Sequence, residues 1–225
     1  RIYPGANQDL ALIFVNPGLS WRESSPTLDD NYQLSKAPPA DWTRRCAISM
    51  DGGFKYLTEN NKDRSGFDRL RDVLHQIGKE TSLLSGLTAT LDRPVEFFAD
   101  IYYTNWYKFA TGGVGNINEI VKKSDSFVSQ NLRQELSIVD PELALVFGRL
   151  PWENGIRPYS TPIGNAPANA DISDAQNRLY KCELQDTSFY VIPYNHPSDR
   201  NRSRAVGHKS DTLAESLRHF RAASD

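Results

Sequence analysis

Four strand-like runs spread along the chain, each closed by a turn residue, limit the possible folds more than any other feature. They are Leu10–Val15, Val95–Thr104, Leu143–Phe147 and Phe189–Pro193. Apolar runs of this length are typical of strands buried on both faces of a parallel sheet. Asn16 follows the first run and His196 lies shortly after the last. Parallel strands bring such residues to one carboxyl edge, where ligands bind.

Helical patterns separate these runs. Residues 65–78 carry one apolar stripe, for which Ser65 is the expected N-cap and Gly78 the expected end. Ile117–Leu136 is predicted to form a second helix, either continuous or broken near Ser124–Ser126. A further stripe near the end of the sequence predicts a last helix, with Thr212 at the start of a capping box.

The order of these elements predicts the fold class. Strand, helix, strand, helix, strand, strand, helix favours a sheet covered on both faces. Residues 180–184 alternate with a period of two and are expected to pair with Phe189–Pro193. We therefore predict an α/β fold, a three-layer α/β/α sandwich with a central, mostly parallel four-stranded sheet. A length of 225 residues fits a single domain over 1–225.

Composition narrows the possible partners. The net charge is −2, whereas a general polyanion binder is expected to be basic, so contact with nucleic acid must use a local patch. Four cations close together supply one: Arg200, Arg202, Arg204 and Lys209. Two cysteines cannot supply the four thiolate ligands of an iron–sulfur cluster, and no apolar run approaches the ~20 residues of a membrane span. We expect an intracellular monomer that needs no metal or cofactor and has no membrane partner.

Four elements, in this order, resemble the motifs of the uracil-DNA glycosylase superfamily. Phe14–Gly18 resembles the first motif in its Asn-Pro-Gly form, and Tyr102–Asn105 the strand that ends in the base-reading asparagine. Glu135–Gly148 resembles the third-strand signature, and Asn195–Ser198 the second catalytic motif. The first motif and His196–Asn201 are most similar to the single-strand-selective monofunctional and mismatch-specific branches.

The resemblance implies a monofunctional DNA glycosylase. Such an enzyme hydrolyses the N-glycosidic bond of uracil, or of a related base, after the nucleotide is flipped out of DNA during base excision repair. Asn16 would orient the attacking water, and His196 would donate a hydrogen bond to the oxygen of the departing base. Asn105 would read the base edge, because one amide offers a donor and an acceptor. Trp21 is the expected aromatic floor for the base, with Tyr32 as second choice.

The resemblance also implies the residues that contact DNA. Ser198 and nearby backbone amides would hold phosphates, and Arg200 would fill the stack that the flipped base leaves. Pro17, Gly18 and Arg202 complete the expected DNA-binding set. No lysine stands where an amine nucleophile would obviously attack, so strand-cutting lyase chemistry is not expected.

Two alternatives stay open from the sequence. The long loop over residues 19–40 and the Pro/Gly-rich segment 151–171 would suit a pocket for another modified base, such as a hypermodified pyrimidine of the phage type. A catalytically inactive, DNA-binding member is favoured by the missing carboxylate of the first motif, but the set Asn16, Asn105 and His196 argues against it. Taken singly, Asn16 before a proline also fits a simple turn.

Overall fold

A six-stranded mixed sheet lies at the centre of the fold. The computed structural model describes residues 7–15, 64–87, 101–106, 128–184, 186–195 and 210–224. The strands are β1 (Asn7–Phe14), β2 (Ile101–Asn105), β3 (Leu143–Phe147), β4 (Ser160–Pro162), β5 (Tyr180–Glu183) and β6 (Ser188–Tyr194). The helices are α1 (Arg64–Glu80), α2 (128–139), α3 (Ile172–Ala175) and α4 (Ser210–Ser224).

The strand order is β2-β1-β3-β6-β5-β4. The first four strands in this order, β2, β1, β3 and β6, are parallel to one another. β5 and β4 extend the sheet in antiparallel fashion. The predicted α/β class is confirmed, and the four predicted apolar runs supply the parallel part. The expected pairing of residues 180–184 with the last run is also confirmed, as the antiparallel pair of β5 and β6. The predicted count of four strands is wrong, because β5 and β4 belong to the same sheet. β4 has no apolar alternation, since its sequence is Ser-Thr-Pro and two of its residues are exposed.

Helices cover both faces of the sheet, in the predicted layered arrangement. On one face, α1 and α4 pack against the even-numbered side chains of β1 and the odd-numbered side chains of β3. On the other face, α2 and the segment after β3 pack against the alternate side chains. The apolar sequence of β3 follows from this arrangement, because all five of its residues are buried.

Helix ends differ from the expectations drawn from capping patterns. α1 begins at Arg64 and runs past Gly78 to Glu80, so Ser65 lies in its first turn and is not the N-cap. α4 begins at Ser210, so Thr212 also lies inside its helix. The apolar stripes themselves are confirmed, since the stripe residues described in these helices are buried: Leu70, Leu74, Ile77, Leu213, Leu217 and Phe220.

The Pro/Gly-rich segment 151–171 connects β3 to the antiparallel part of the sheet and is buried near its two ends. A π-helical turn, Pro151–Ile156, is followed by a 3₁₀ turn and by β4. The indole of Trp152 is buried and donates to the Ala170 carbonyl at 3.1 Å. Gly155 lies flat against the buried indole of Trp106, so that a Cβ atom at Gly155 would overlap this ring. The connection therefore supports the residue that follows β2.

No helix among the described residues is long and apolar enough to cross a membrane.

The contact between Gly155 and Trp106 gives a stability prediction. Gly155→Ala forces a methyl group to within 2.2 Å of a buried ring atom, and overpacking this severe costs about 2–3 kcal/mol. Gly86→Ala is the matched control, because Gly86 has a positive φ but open space where an alanine methyl group would lie. It should cost about 1 kcal/mol, from the left-handed backbone conformation alone. Urea unfolding of both variants measures the difference, and equal losses would contradict the contact.

Cys182 gives a prediction about alkaline stability. Its side chain is buried, and burial raises the pKa of the thiol from 9.0 to about 12, opposed by a hydrogen bond with Ser160. Above pH 9 the unfolded chain loses this proton while the folded chain keeps it. Stability therefore falls with rising pH, by about 1.4 kcal/mol per unit from this group. In Cys182→Ala the decline between pH 9 and 11 should be shallower by that amount, and parallel curves would contradict the raised pKa.

Candidate active site

The four parallel strands end at one level. The last in-register pairs are Phe14 with Asn105 and Phe147 with Tyr194. Ile13 pairs with Val146, so Phe14 and Phe147 lie side by side as well. With strands ~4.8 Å apart, these four residues form a row about 14 Å long at the carboxyl edge. We call Asn105, Phe14, Phe147 and Tyr194 the edge row.

Three aromatic rings fill most of the edge row. The ring of Phe147 stacks on Phe14 at 4.9 Å between centroids and on Tyr194 at 5.6 Å, with interplanar angles of 14° and 19°. Phe147 and Tyr194 are fully buried, whereas Phe14 is partly exposed. The Tyr194 hydroxyl has no hydrogen-bond partner among the described residues, and burial raises the pKa of this phenol well above its ordinary value. The edge row is therefore apolar and tightly packed, and the faces of its rings are turned toward one another.

Asn105 occupies one end of the edge row. Ile101 and Tyr103 belong to the core on the face covered by α1 and α4, so alternation along β2 places Asn105 on the same face. Only 7% of the residue is exposed. An amide held at a nearly buried position offers a donor and an acceptor to a ligand at the edge.

The neighbours of Asn105 anchor the opposite face of β2. The Thr104 hydroxyl donates to the carboxylate of Glu135 in α2, at 3.0 Å from each oxygen. Trp106 donates its backbone N–H to the Phe14 carbonyl at 2.7 Å and packs its indole against Gly155. The residues on both sides of Asn105 are therefore fixed by contacts on the opposite face of the sheet.

The exit of β3 is shaped by Gly148. Its φ of +104° lies in a region that favours glycine, and a Cβ there would lie 2.5 Å from Cγ2 of Val15. The Gly148 N–H donates to the Tyr194 carbonyl at 2.8 Å. Glycine thus lets the chain turn away between the exits of β1 and β6.

The structure describes one residue of the predicted site directly. Asn105 lies in the edge row, as its place at the end of a strand predicts. The others lie outside the described residues: Asn16, Pro17, Gly18, Trp21, His196, Ser198, Arg200 and Arg202. Val15 and Asn195, which precede Asn16 and His196 in the sequence, leave the same edge on the two sides of β3. The convergence of the three side chains stays a prediction.

Several features of this edge are not among those predicted from the sequence. The aromatic residues of the edge row each end an apolar run, which is a signal visible in the sequence. The hydrogen bond between Thr104 and Glu135, and the packing of Gly155 on Trp106, leave no such signal. The buried pair of Gln176 and Asn195 leaves no signal either, although Nδ2 of Asn195 lies 3.0 Å from Oε1 of Gln176.

A family model described as the uracil DNA glycosylase superfamily matches residues 60–221, more than two thirds of the chain. The matched range contains β2, β3 and β6 and therefore the segments of Asn105 and His196, whereas β1 and Asn16 precede it. Comparisons with curated proteins and with solved structures gave no match.

The anchor behind Asn105 gives a prediction by double-mutant cycle. Thr104→Val removes the donor to a carboxylate, a bond of about 1.5–3 kcal/mol, and Glu135→Met removes the acceptor. Once one partner is gone, removal of the other should cost less, so the double variant should be more stable than the sum predicts by about 1 kcal/mol or more. Urea unfolding of the four proteins measures this coupling. If the two losses of stability add to within about 0.5 kcal/mol, the hydrogen bond does not stabilise the fold.

Proposed function

Because the chain belongs to the uracil-DNA glycosylase superfamily, whose members are DNA glycosylases, we propose that it is a monofunctional DNA glycosylase. It hydrolyses the N-glycosidic bond of uracil, or of a related base, that has been flipped out of DNA. The partner is DNA, and the role is base excision repair inside the cell.

One observation supports this proposal above the others. Asn105 lies nearly buried at the end of the edge row, at the level where the strands that lead to Asn16 and His196 also leave the sheet. In open α/β sheets this edge is where ligands bind. A fixed amide at this edge suits a nucleobase, whose own edge has hydrogen-bond donors and acceptors.

The proposed chemistry follows from the charges of the reaction. When the bond between C1′ and the base nitrogen breaks, its electron pair goes to the base and positive charge develops on the sugar. Asn16 orients the water whose oxygen bonds to C1′, and His196 donates a hydrogen bond to the anionic base oxygen. Asn105 reads the edge of the base. The proton that the water loses balances the charge of the released base.

The aromatic floor and the DNA contacts remain part of the proposal. Trp21 is proposed to stack on the flipped base. Ser198 and backbone amides near Pro17 and Gly18 hold phosphates, and Arg200 and Arg202 supply the positive charge that the chain lacks overall. Binding should therefore weaken with salt.

The activity test uses oligonucleotides with a single uracil, single- or double-stranded, followed by alkali. The wild type should leave abasic sites that break only after alkali. His196→Ala and Asn105→Ala should each slow base release by about 10²–10³-fold, because each removes a preorganised hydrogen bond to the base. Asn16→Ala should slow it at least as much. Asn165→Ala is the control, since this exposed amide bonds Glu215; it should keep the wild-type rate.

The same assay separates the alternatives. Release of a modified base from phage DNA, without any release of uracil, would change the substrate but keep the reaction. Salt-sensitive binding of DNA without any base release would contradict a catalytic role. Strand breaks before alkali would contradict monofunctional chemistry. Equal loss of rate in Asn165→Ala and Asn105→Ala would contradict the proposed site.

A further inference from the structure

The end of β6 loses its strand partner on one side, and a buried corner replaces that strand. β5 pairs with β6 only as far as Val191. Beyond that point, the Asn177 N–H donates to the Pro193 carbonyl at 3.2 Å. The side-chain oxygen of Gln176 accepts from the backbone N–H of Asn195 at 3.1 Å. The two residues therefore continue the hydrogen bonding of β6 past the end of β5.

A single oxygen atom holds Asn195 at two points. Oε1 of Gln176 also accepts from the side-chain Nδ2 of Asn195, at 3.0 Å. Gln176 is 3% exposed and Asn195 is 7% exposed. Loss of this oxygen takes the acceptor from two buried donors at once, and a buried donor that loses its acceptor costs about 1–3 kcal/mol. Both the backbone and the side chain of Asn195 are thereby restrained.

The corner that presents Gln176 is anchored independently of Asn195. The carboxylate of Asp171 caps α3 by accepting from the N–H groups of Ser173 and Asp174, at 2.8 and 3.0 Å. Asn177 has a φ of +62°, and its carbonyl accepts from the Ser216 hydroxyl of α4 at 2.7 Å. Gln176 therefore reaches Asn195 from a fixed base.

We propose that Gln176 is a positioning residue for the glycosylase reaction, acting through Asn195 on His196, the next residue in the sequence. The inference rests on the proposed function, because it assumes that His196 acts on the base. Gln176 itself need not touch DNA. Displacement of a catalytic group by about 1 Å can lower a rate by about 10²-fold, so a fixed Asn195 has a use in catalysis.

The test compares two variants of this corner. Gln176→Met keeps the length of the side chain but removes the acceptor. Ser216→Ala removes a buried hydrogen bond of the same corner, the one donated to the Asn177 carbonyl, and leaves the acceptor of Asn195 in place. Both should lower the midpoint of urea unfolding. Only Gln176→Met should slow single-turnover base release, by about 10–100-fold, with the Kd for uracil-containing DNA within about threefold of the wild type.

Hydrogen exchange supplies a readout that needs no activity. The backbone amide of Asn195 should be protected in the wild type and in Ser216→Ala, and should exchange at least tenfold faster in Gln176→Met. Gln176→Ala removes the same acceptor and serves as a second variant in case Gln176→Met does not fold. Rapid exchange of Asn195 in the wild type would overturn the inference whatever the variants do.

The outcomes distinguish this inference from the proposed function. An active wild type with an equally active, folded Gln176→Met overturns the positioning role alone. An equal loss of rate in Ser216→Ala also overturns it, because the effect would then come from the corner as a whole. A wild type that releases no base from any oligonucleotide overturns the proposed function, and the positioning role with it.

Discussion

The register of the four parallel strands is the constraint on which the candidate site depends. It places Asn105 beside Phe14, and Phe147 beside Tyr194, so that every strand leaves the sheet at one level. A shift of β2 by one residue would carry the amide of Asn105 to the opposite face. It would also turn the buried side chains of Ile101 and Tyr102 away from their cores. Burial on both faces therefore fixes the position of a single polar group.

The hydrogen bonds between strands stop where a strand ends, so other contacts must fix the residues that follow it. At β2, Trp106 packs against Gly155. At β3, Gly148 turns with a positive φ and donates to Tyr194. At β6, the oxygen of Gln176 takes the place of a strand. Each exit uses a different device, and each device comes from the long connection between β3 and β6 or from its edges.

The sequence predicts the elements that carry a regular apolar pattern and misses those that do not. The apolar run Leu143–Phe147 matches β3 in full, because a strand buried on both faces needs apolar residues throughout. Ser65 and Thr212 were wrong as caps, since short polar patterns also occur inside helices. β4 was missed because its pairing comes from β5 and not from its own composition.

The candidate site divides along the same line. Asn105 was predictable because it ends a strand and lies within a segment that resembles a motif of the superfamily. The contact of Gln176 with Asn195 was not, since it joins residues 19 positions apart through one side-chain oxygen. Such a contact depends on where the chain folds back, which no local pattern records. The placement of Asn16 and His196 rests on their neighbours Val15 and Asn195, and remains a prediction.

The exact placement of side chains matters most in a proposed site whose polar groups are amides and an imidazole. A carboxylate can attract a proton from water, whereas the neutral amide of an asparagine can only orient its partner. If Asn16 and Asn105 act as proposed, their contribution comes from preorganised dipoles, which are useful only when they need no reorganisation during the reaction. Rigid exits from the sheet meet that requirement. The packing behind Asn105 and the restraint on Asn195 are therefore as much a part of the proposed mechanism as the polar groups themselves.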